Sequence, residues 1–284
     1  NDEGIFGFGT TGSYTAVSNL VSNAGVVASD VSGVGTARAY LSAAGYGGDK
    51  GIFGFGYGGS DVSMTNLVSN SGVVASDVSG VGTARMALAA CSYGGDKGIF
   101  GFGYSHGPGY TAATNLVSNA GVVASDVSGV GTARDSLAAC EYGGDKGIFG
   151  FGIDGSAVSM TNLVSNSGVV ASDTAGVGTA RYWPAACSYG GDKGIFGFGY
   201  DGSNVSMTNL VSNTGVVASD TTGVGTDRYS LAACEYGGDK GIFGFGYNGS
   251  NVSMTNLVSN TGVVATDTTG VGTGRSGLGA CSFN

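Results

Sequence analysis

The sequence predicts an all-β fold: a six-bladed β-propeller with four-stranded antiparallel blades, its ring closed by a blade shared between the N- and C-terminal segments. Three observations predict it. The hexapeptide GIFGFG occurs six times, starting at Gly4, Gly51, Gly98, Gly147, Gly194 and Gly241, at spacings of 47, 47, 49, 47 and 47 residues. A period of about 40–50 residues made of short strand-like segments is typical of propeller blades. The chain ends also complement each other. Read from Phe283-Asn284 into Asn1-Asp2-Glu3-Gly4 they spell FNNDEG, which aligns with YGGDKG at Tyr46 to Gly51. The 284 residues therefore hold a whole number of units cut inside one. That cut suits a ring, because the terminal blade then draws strands from both ends and leaves no sheet edge between first and last blades. Finally, no segment sustains a 3.6-residue period, so almost no helix is expected. The whole chain, 1–284, reads as a single domain.

Within a unit the strands follow in order. The first is LAACSY, Leu88 to Tyr93. The second is KGIFGFGY, Lys97 to Tyr104, where period-two alternation places Phe100, Phe102 and Tyr104 on one face. The third runs from about Val62 to Ser69, and the fourth is GVVAS, Gly72 to Ser76. GGDK and SNSG supply turn chemistry between them. The third copy is two residues longer because its loop reads YSHGPGYTA.

Composition narrows the function. Charged residues are only 11%, with 11 Lys plus Arg against 20 Asp plus Glu and a formal net charge of −9. Such a chain has no footprint for a phosphate backbone, which excludes nucleic acid as the expected partner. No apolar run approaches the roughly 18 residues needed to span a bilayer. No signal peptide is visible, and the first residue is Asn1. A surface of Ser, Thr, Asn and Gly points to an extracellular or virion-associated protein. The 58 glycines stand beside Ile, Phe and Val, with only 2 prolines, and read as strand and turn glycines rather than disorder.

The order of parts resembles the kelch-like propellers. An arginine after a small-residue loop (GVGTAR), a small apolar strand, a glycine-rich turn and an aromatic strand ending in glycine recur in that order along the whole chain. Here the Gly-Gly doublet, as at Gly47-Gly48, precedes the second strand, and the spaced Tyr and Trp of the family are missing. The resemblance implies a propeller that binds rather than catalyses.

Other motifs read as architecture. GIFGFG lacks the strand–turn–helix context of a nucleotide fingerprint. Six arginines (Arg38, Arg85, Arg134, Arg181, Arg228, Arg275) and six aspartates eight residues earlier (Asp30, Asp77, Asp126, Asp173, Asp220, Asp267) repeat once per unit. They suit either a structural ion pair or turn hydrogen bond in every blade, or a sixfold anion-binding ring. The GGDK aspartates read as turn formers, and no metal site or cofactor is expected. Cys91, Cys140, Cys187, Cys234 and Cys281 share one repeat position that Ala44 fills in the sixth copy, so five free buried thiols are expected. The single histidine, His106, has no catalytic partner evident in sequence, and the chain is not expected to be an enzyme.

The six copies differ mainly at one end. The GGDK and VSN-x-G turns barely vary, whereas the second-to-third loops and the residues after each crossover arginine vary most. Variable loops on a rigid scaffold are where binding residues sit. The aromatic and amide-rich positions there are Tyr182, Trp183 and Tyr229, with Tyr200, Asp201, Asn204, Tyr247 and Asn248 from the adjoining loops. They are expected to converge at one side of the channel mouth and to suit a glycan or protein ligand. The alternative is a structural or assembly component of a virion or cell surface, and the protein is expected as a monomer or as part of such an assembly.

Overall fold

The computed structural model describes residues 2–283, which form twenty β-strands and no helix. In chain order these are β1 (Glu3–Gly7), β2 (Ser18–Val21), β3 (Ser42–Tyr46), β4 (Lys50–Gly54), β5 (Thr65–Val68), β6 (Ala89–Tyr93) and β7 (Lys97–Gly101). The long loop of the third copy adds a small hairpin, β8 (Tyr104–Ser105) and β9 (Gly109–Tyr110), before β10 (Thr114–Val117). Then follow β11 (Ala138–Tyr142), β12 (Lys146–Gly150), β13 (Thr161–Val164), β14 (Ala185–Tyr189), β15 (Lys193–Tyr200) and β16 (Asn204–Val211). The last four are β17 (Ala232–Tyr236), β18 (Lys240–Gly244), β19 (Thr255–Val258) and β20 (Gly279–Phe283).

Six antiparallel sheets result, each of three strands with the KGIFG-type strand in the middle. Five take consecutive strands of one unit, as in β3-β4-β5. The sixth is β2-β1-β20, where Ile5 is registered with Cys281 and Glu3 with Phe283. The FNNDEG junction itself includes Asn1 and Asn284, which lie outside the described residues.

Three strand expectations need correction. The expected fourth strand makes isolated bridges only, such as Val68 with Val74 and Thr65 with Val78. Three steps of chain separate Thr65 from Val68 but four separate Val74 from Val78, so the returning segment carries an extra residue and cannot keep the alternation of a ladder. Asn66 fills the defect, donating from Nδ2 to Ala75 O at 3.0 Å and to Asp77 Oδ1 at 2.9 Å. The second strand stops at Gly101 rather than Tyr104, and the third begins at Thr65 rather than Val62; only β15 and β16 run the longer course. The reason is the last Phe of GIFGFG. Phe102 adopts φ +62°, and Phe8, Phe55, Phe151, Phe198 and Phe245 do likewise. Left-handed backbone at a bulky residue interrupts the regular ladder; in β15 the ladder resumes beyond Phe198 after a register shift between Gly197 and Gly199.

That kink also overturns the single aromatic face. Phe100 packs on Phe55 of the preceding unit at 5.2 Å between ring centres, while Phe102 packs on Phe149 of the following unit at 5.1 Å. Each sheet thus offers an aromatic ring to both neighbours. The same joint recurs six times, including Phe245 with Phe6. Such edge-on pairs contribute about 0.5–1.5 kcal/mol beyond their buried area. Close approach sets the glycine between them: a Cβ on Gly54 would stand 2.7 Å from Phe100 Cζ. The cysteines fit the same logic. A Cβ on Gly51 would lie 2.4 Å from Cys281 Sγ, so each thiol occupies space vacated by a glycine of a neighbouring sheet. All five cysteines are free and buried.

Candidate functional site

The arginines hold the sheets to one another and are unavailable to a ligand. Arg38 is fully buried, as are its five equivalents. Its Nε donates to Phe55 O at 2.8 Å, Nη1 to Thr36 O at 3.1 Å and Nη2 to Asn66 Oδ1 at 2.7 Å. Its guanidinium carbon lies 4.3 Å from the centre of the Phe8 ring. The ionic partner is Asp77 of the following unit, at 3.9 Å, and not Asp30 eight residues earlier. Thr36 completes the joint by donating both N–H and Oγ1–H to Asp77. Burial pulls the arginine down to about 10, which still leaves it charged at neutral pH. The carboxylate of Asp77 is held below its ordinary value: burial opposes this, but hydrogen bonds from Thr36 and Asn66 and the charge of Arg38 outweigh it. This is the structural ion pair rather than an anion-binding ring.

The residue two places after each arginine builds a second device. Tyr40, Ala87, Ser136, Trp183, Ser230 and Gly277 all adopt φ between 54° and 63°. The N–H of each bonds the carbonyl of its counterpart in the preceding unit: Ala87 to Tyr40, Ser136 to Ala87, Trp183 to Ser136, Ser230 to Trp183, Gly277 to Ser230, and Tyr40 back to Gly277, at 2.7–3.1 Å. The six bonds return to their starting residue. They frame one end of a cavity of about 150 Å³ lined by β3, β6, β11, β14, β17 and β20. Glu141 and Glu235 also line this cavity, at the strand position that follows each cysteine. Burial pushes Glu141 up, and pushes Glu235 up to about 7 with the charge of Glu141 adding to it.

Of the eight residues expected at the mouth, four tyrosines form a continuous series. Tyr182 touches Tyr200 at 5.4 Å, Tyr200 touches Tyr229 at 5.6 Å, and Tyr229 touches Tyr247 at 5.6 Å. Bridges Tyr182–Tyr200 and Tyr229–Tyr247 explain the spacing, because each crossover residue pairs with the start of its own loop. Asn204 faces Tyr200 in register across the β15–β16 hairpin. Asp201 and Asn248 occupy equivalent loop positions, accepting from the N–H of Ser203 at 3.2 Å and Ser250 at 3.3 Å. Trp183 is elsewhere. Its ring lies 5.2 Å from Tyr40, across the cavity mouth, and among the described residues it stacks on none of the four tyrosines. The left-handed backbone of Trp183, whose N–H bonds Ser136 O at 2.7 Å, carries its ring to the cavity mouth beside Tyr40 while Tyr182 stays with the loop tyrosines.

A second aromatic series had no counterpart in the sequence reading. Tyr14, Tyr57, His106, Tyr104 and Tyr110 follow one another at 5.9, 5.3, 5.5 and 5.4 Å. His106 has a carboxylate partner after all: Asp61, from the preceding unit, accepts its backbone N–H at 2.7 Å and lies 3.0 Å from Nδ1. Aligning the six loops brings out Tyr57 and Tyr104, which share one repeat position with Tyr200 and Tyr247, but not with Tyr14, His106 or Tyr110. Among the described residues no group of three or more His, Cys, Asp or Glu is placed to hold a metal ion.

No protein-family model matches the chain, and no curated protein matches it.

Proposed function

We propose that the chain is a closed six-bladed propeller of kelch-like organisation, acting as a non-catalytic binding module that engages a glycan or protein through its variable loop face. Ring closure is supported by the β1–β20 pairing, by the cycle of six backbone bonds, and by the last arginine joint, where Arg275 bonds Asn19. The binding reading rests on one observation: the tyrosines of the variable loops converge into a contiguous aromatic surface at Tyr182, Tyr200, Tyr229 and Tyr247, bordered by Asp201, Asn204 and Asn248. Tyrosine offers an apolar face to C–H groups and a hydroxyl to polar ones, which suits sugars and protein anchors alike. The test is a panel of neutral and acidic glycans and candidate proteins, read by calorimetry, with Tyr200→Ala and Tyr247→Ala as controls. Loss of about tenfold or more in affinity, roughly 1.4 kcal/mol, supports the site; an unchanged affinity in both variants for every ligand found rejects it.

A second reading, assembly, is favoured by six equivalent exposed valines. Val26, Val73, Val122, Val169, Val216 and Val263 are each about 64% exposed yet identical in every copy. An exposed valine repeated once per unit suits self-association. Sedimentation of the parent and of a variant with these six changed to Thr separates the readings: a large assembly dispersed by the change favours the second.

A further inference from the structure

All 11 Lys and Arg residues are committed to carboxylates. The six arginines are buried in the joints with Asp30, Asp77, Asp126, Asp173, Asp220 and Asp267, and the five lysines pair with the aspartate beside them in GGDK. The net charge of −9 therefore resides in the nine remaining acids. Five of these, Asp61, Asp135, Asp154, Asp201 and Asp227, belong to the variable loops and crossovers; Asp154, Asp201 and Asp227 are exposed there, whereas Asp61 is bound to His106 and burial pushes Asp135 up to about 6. Among the described residues none of the five forms an ion pair with Lys or Arg, and no Lys is on that face, since all five occupy the GGDK turns. The only basic group there, His106, is held by Asp61.

From this complementarity we infer that the loop face docks a basic segment of a partner protein, its lysine or arginine side chains seated over Tyr110 and Tyr200 and facing Asp154 and Asp201. The inference rests on the binding-module reading and names the partner class for it. A tyrosine face attracts a cation directly, and uncompensated carboxylates beside it add attraction that a neutral sugar would not use. The same charges repel acidic glycans and nucleic acid.

Asp154 and Asp201 make the test clean. Both are exposed, and Asn248 occupies the equivalent position in the last copy with the same turn hydrogen bond, so Asp154→Asn and Asp201→Asn remove charge without altering the loop. The probes are a lysine-rich decapeptide, its fully acetylated form and its glutamate counterpart, measured by calorimetry at low and physiological ionic strength beside the neutral glycan panel. The lysine peptide should bind, more weakly as salt rises; the acetylated and glutamate peptides should not; and the double variant should bind about tenfold more weakly. Equal binding of lysine and acetylated peptides, or no loss in the double variant, overturns the inference. Neutral glycans bound at the tyrosines without any lysine-peptide binding also overturns it, while leaving the binding-module reading intact. Absence of every ligand defeats both.

Discussion

Arg275 and Asn19 are 256 residues apart in sequence and joined by a 2.6 Å hydrogen bond between Nη2 and Oδ1. Arg275 also donates to Phe8 O at 2.9 Å and lies 3.9 Å from Asp30, so it makes between the chain's two ends the joint that Arg38 makes between adjacent units. Replacing it with Met strands Asn19 and Phe8 O in a buried site. Breaking a buried pair costs about 3–5 kcal/mol, which is roughly 5–8 °C in Tm for a domain of 284 residues. Arg275→Met should lower Tm as much as Arg134→Met in the middle of the chain. A Tm unchanged by Arg275→Met would show that the ends are not joined.

Removing Leu278 to Asn284 deletes β20 and exposes the edge of β1. The truncated protein should lose cooperative unfolding or aggregate. A permutant that links Asn284 to Asn1 and opens at another unit's crossover should fold, because each joint is chemically the same. Failure of several such permutants, or a truncated chain that melts like the parent, contradicts ring closure.

The five thiols should be silent to a thiol reagent in the native state at pH 8 and react as five on unfolding without reductant. Burial raises them, Cys281 to about 12, and the thiolate is the reactive form. Cys187→Ala should cost no more than about 1–2 kcal/mol, the loss of one small buried group, because Ala44 already occupies the equivalent position. Fewer than five thiols in the unfolded chain would reveal a disulfide.

Glu235 carries a pH signature. Burial, aided by Glu141, raises its carboxyl from 4.5 to about 7 in the folded protein. The unfolded state therefore ionises first: the penalty is absent below pH 4.5, grows as pH rises, and is complete above about 7. Glu235→Gln should stabilise the protein at pH 8 by about 1–2 kcal/mol, after discounting for solvent in the cavity, and leave it unchanged near pH 4. Equal effects at both pH values would mean that the carboxyl is not buried as a charge.

Trp183 should report the cavity mouth rather than the tyrosine series. Trp183→Ala should remove the contact with Tyr40 and change the affinity of a ligand bound at Tyr200 and Tyr247 by less than about twofold, roughly 0.4 kcal/mol. A loss well beyond that would place the ligand over the mouth.

The all-β class, the repeating unit, the turns, the buried thiols and the end on which copies diverge were all legible in the sequence. Each of these is local or repeated, and repetition averages out the ambiguity of any one segment. The sequence could not reveal that Phe102 turns its back on Phe100, because only neighbouring sheets on both sides supply the contacts that hold a Phe at positive φ. Nor could it show that Arg38 reaches forward to Asp77, since sequence proximity favours Asp30 and only the packing of one unit on the next decides otherwise. The candidate site divides in the same way. Tyr182, Tyr200, Tyr229 and Tyr247 were legible from aligned copies, but Trp183 separated from them because its left-handed backbone bonds into the cycle at the mouth. His106 met Asp61, and the two tyrosine series formed, only where loops from successive units came together; that proximity is a property of the tertiary structure.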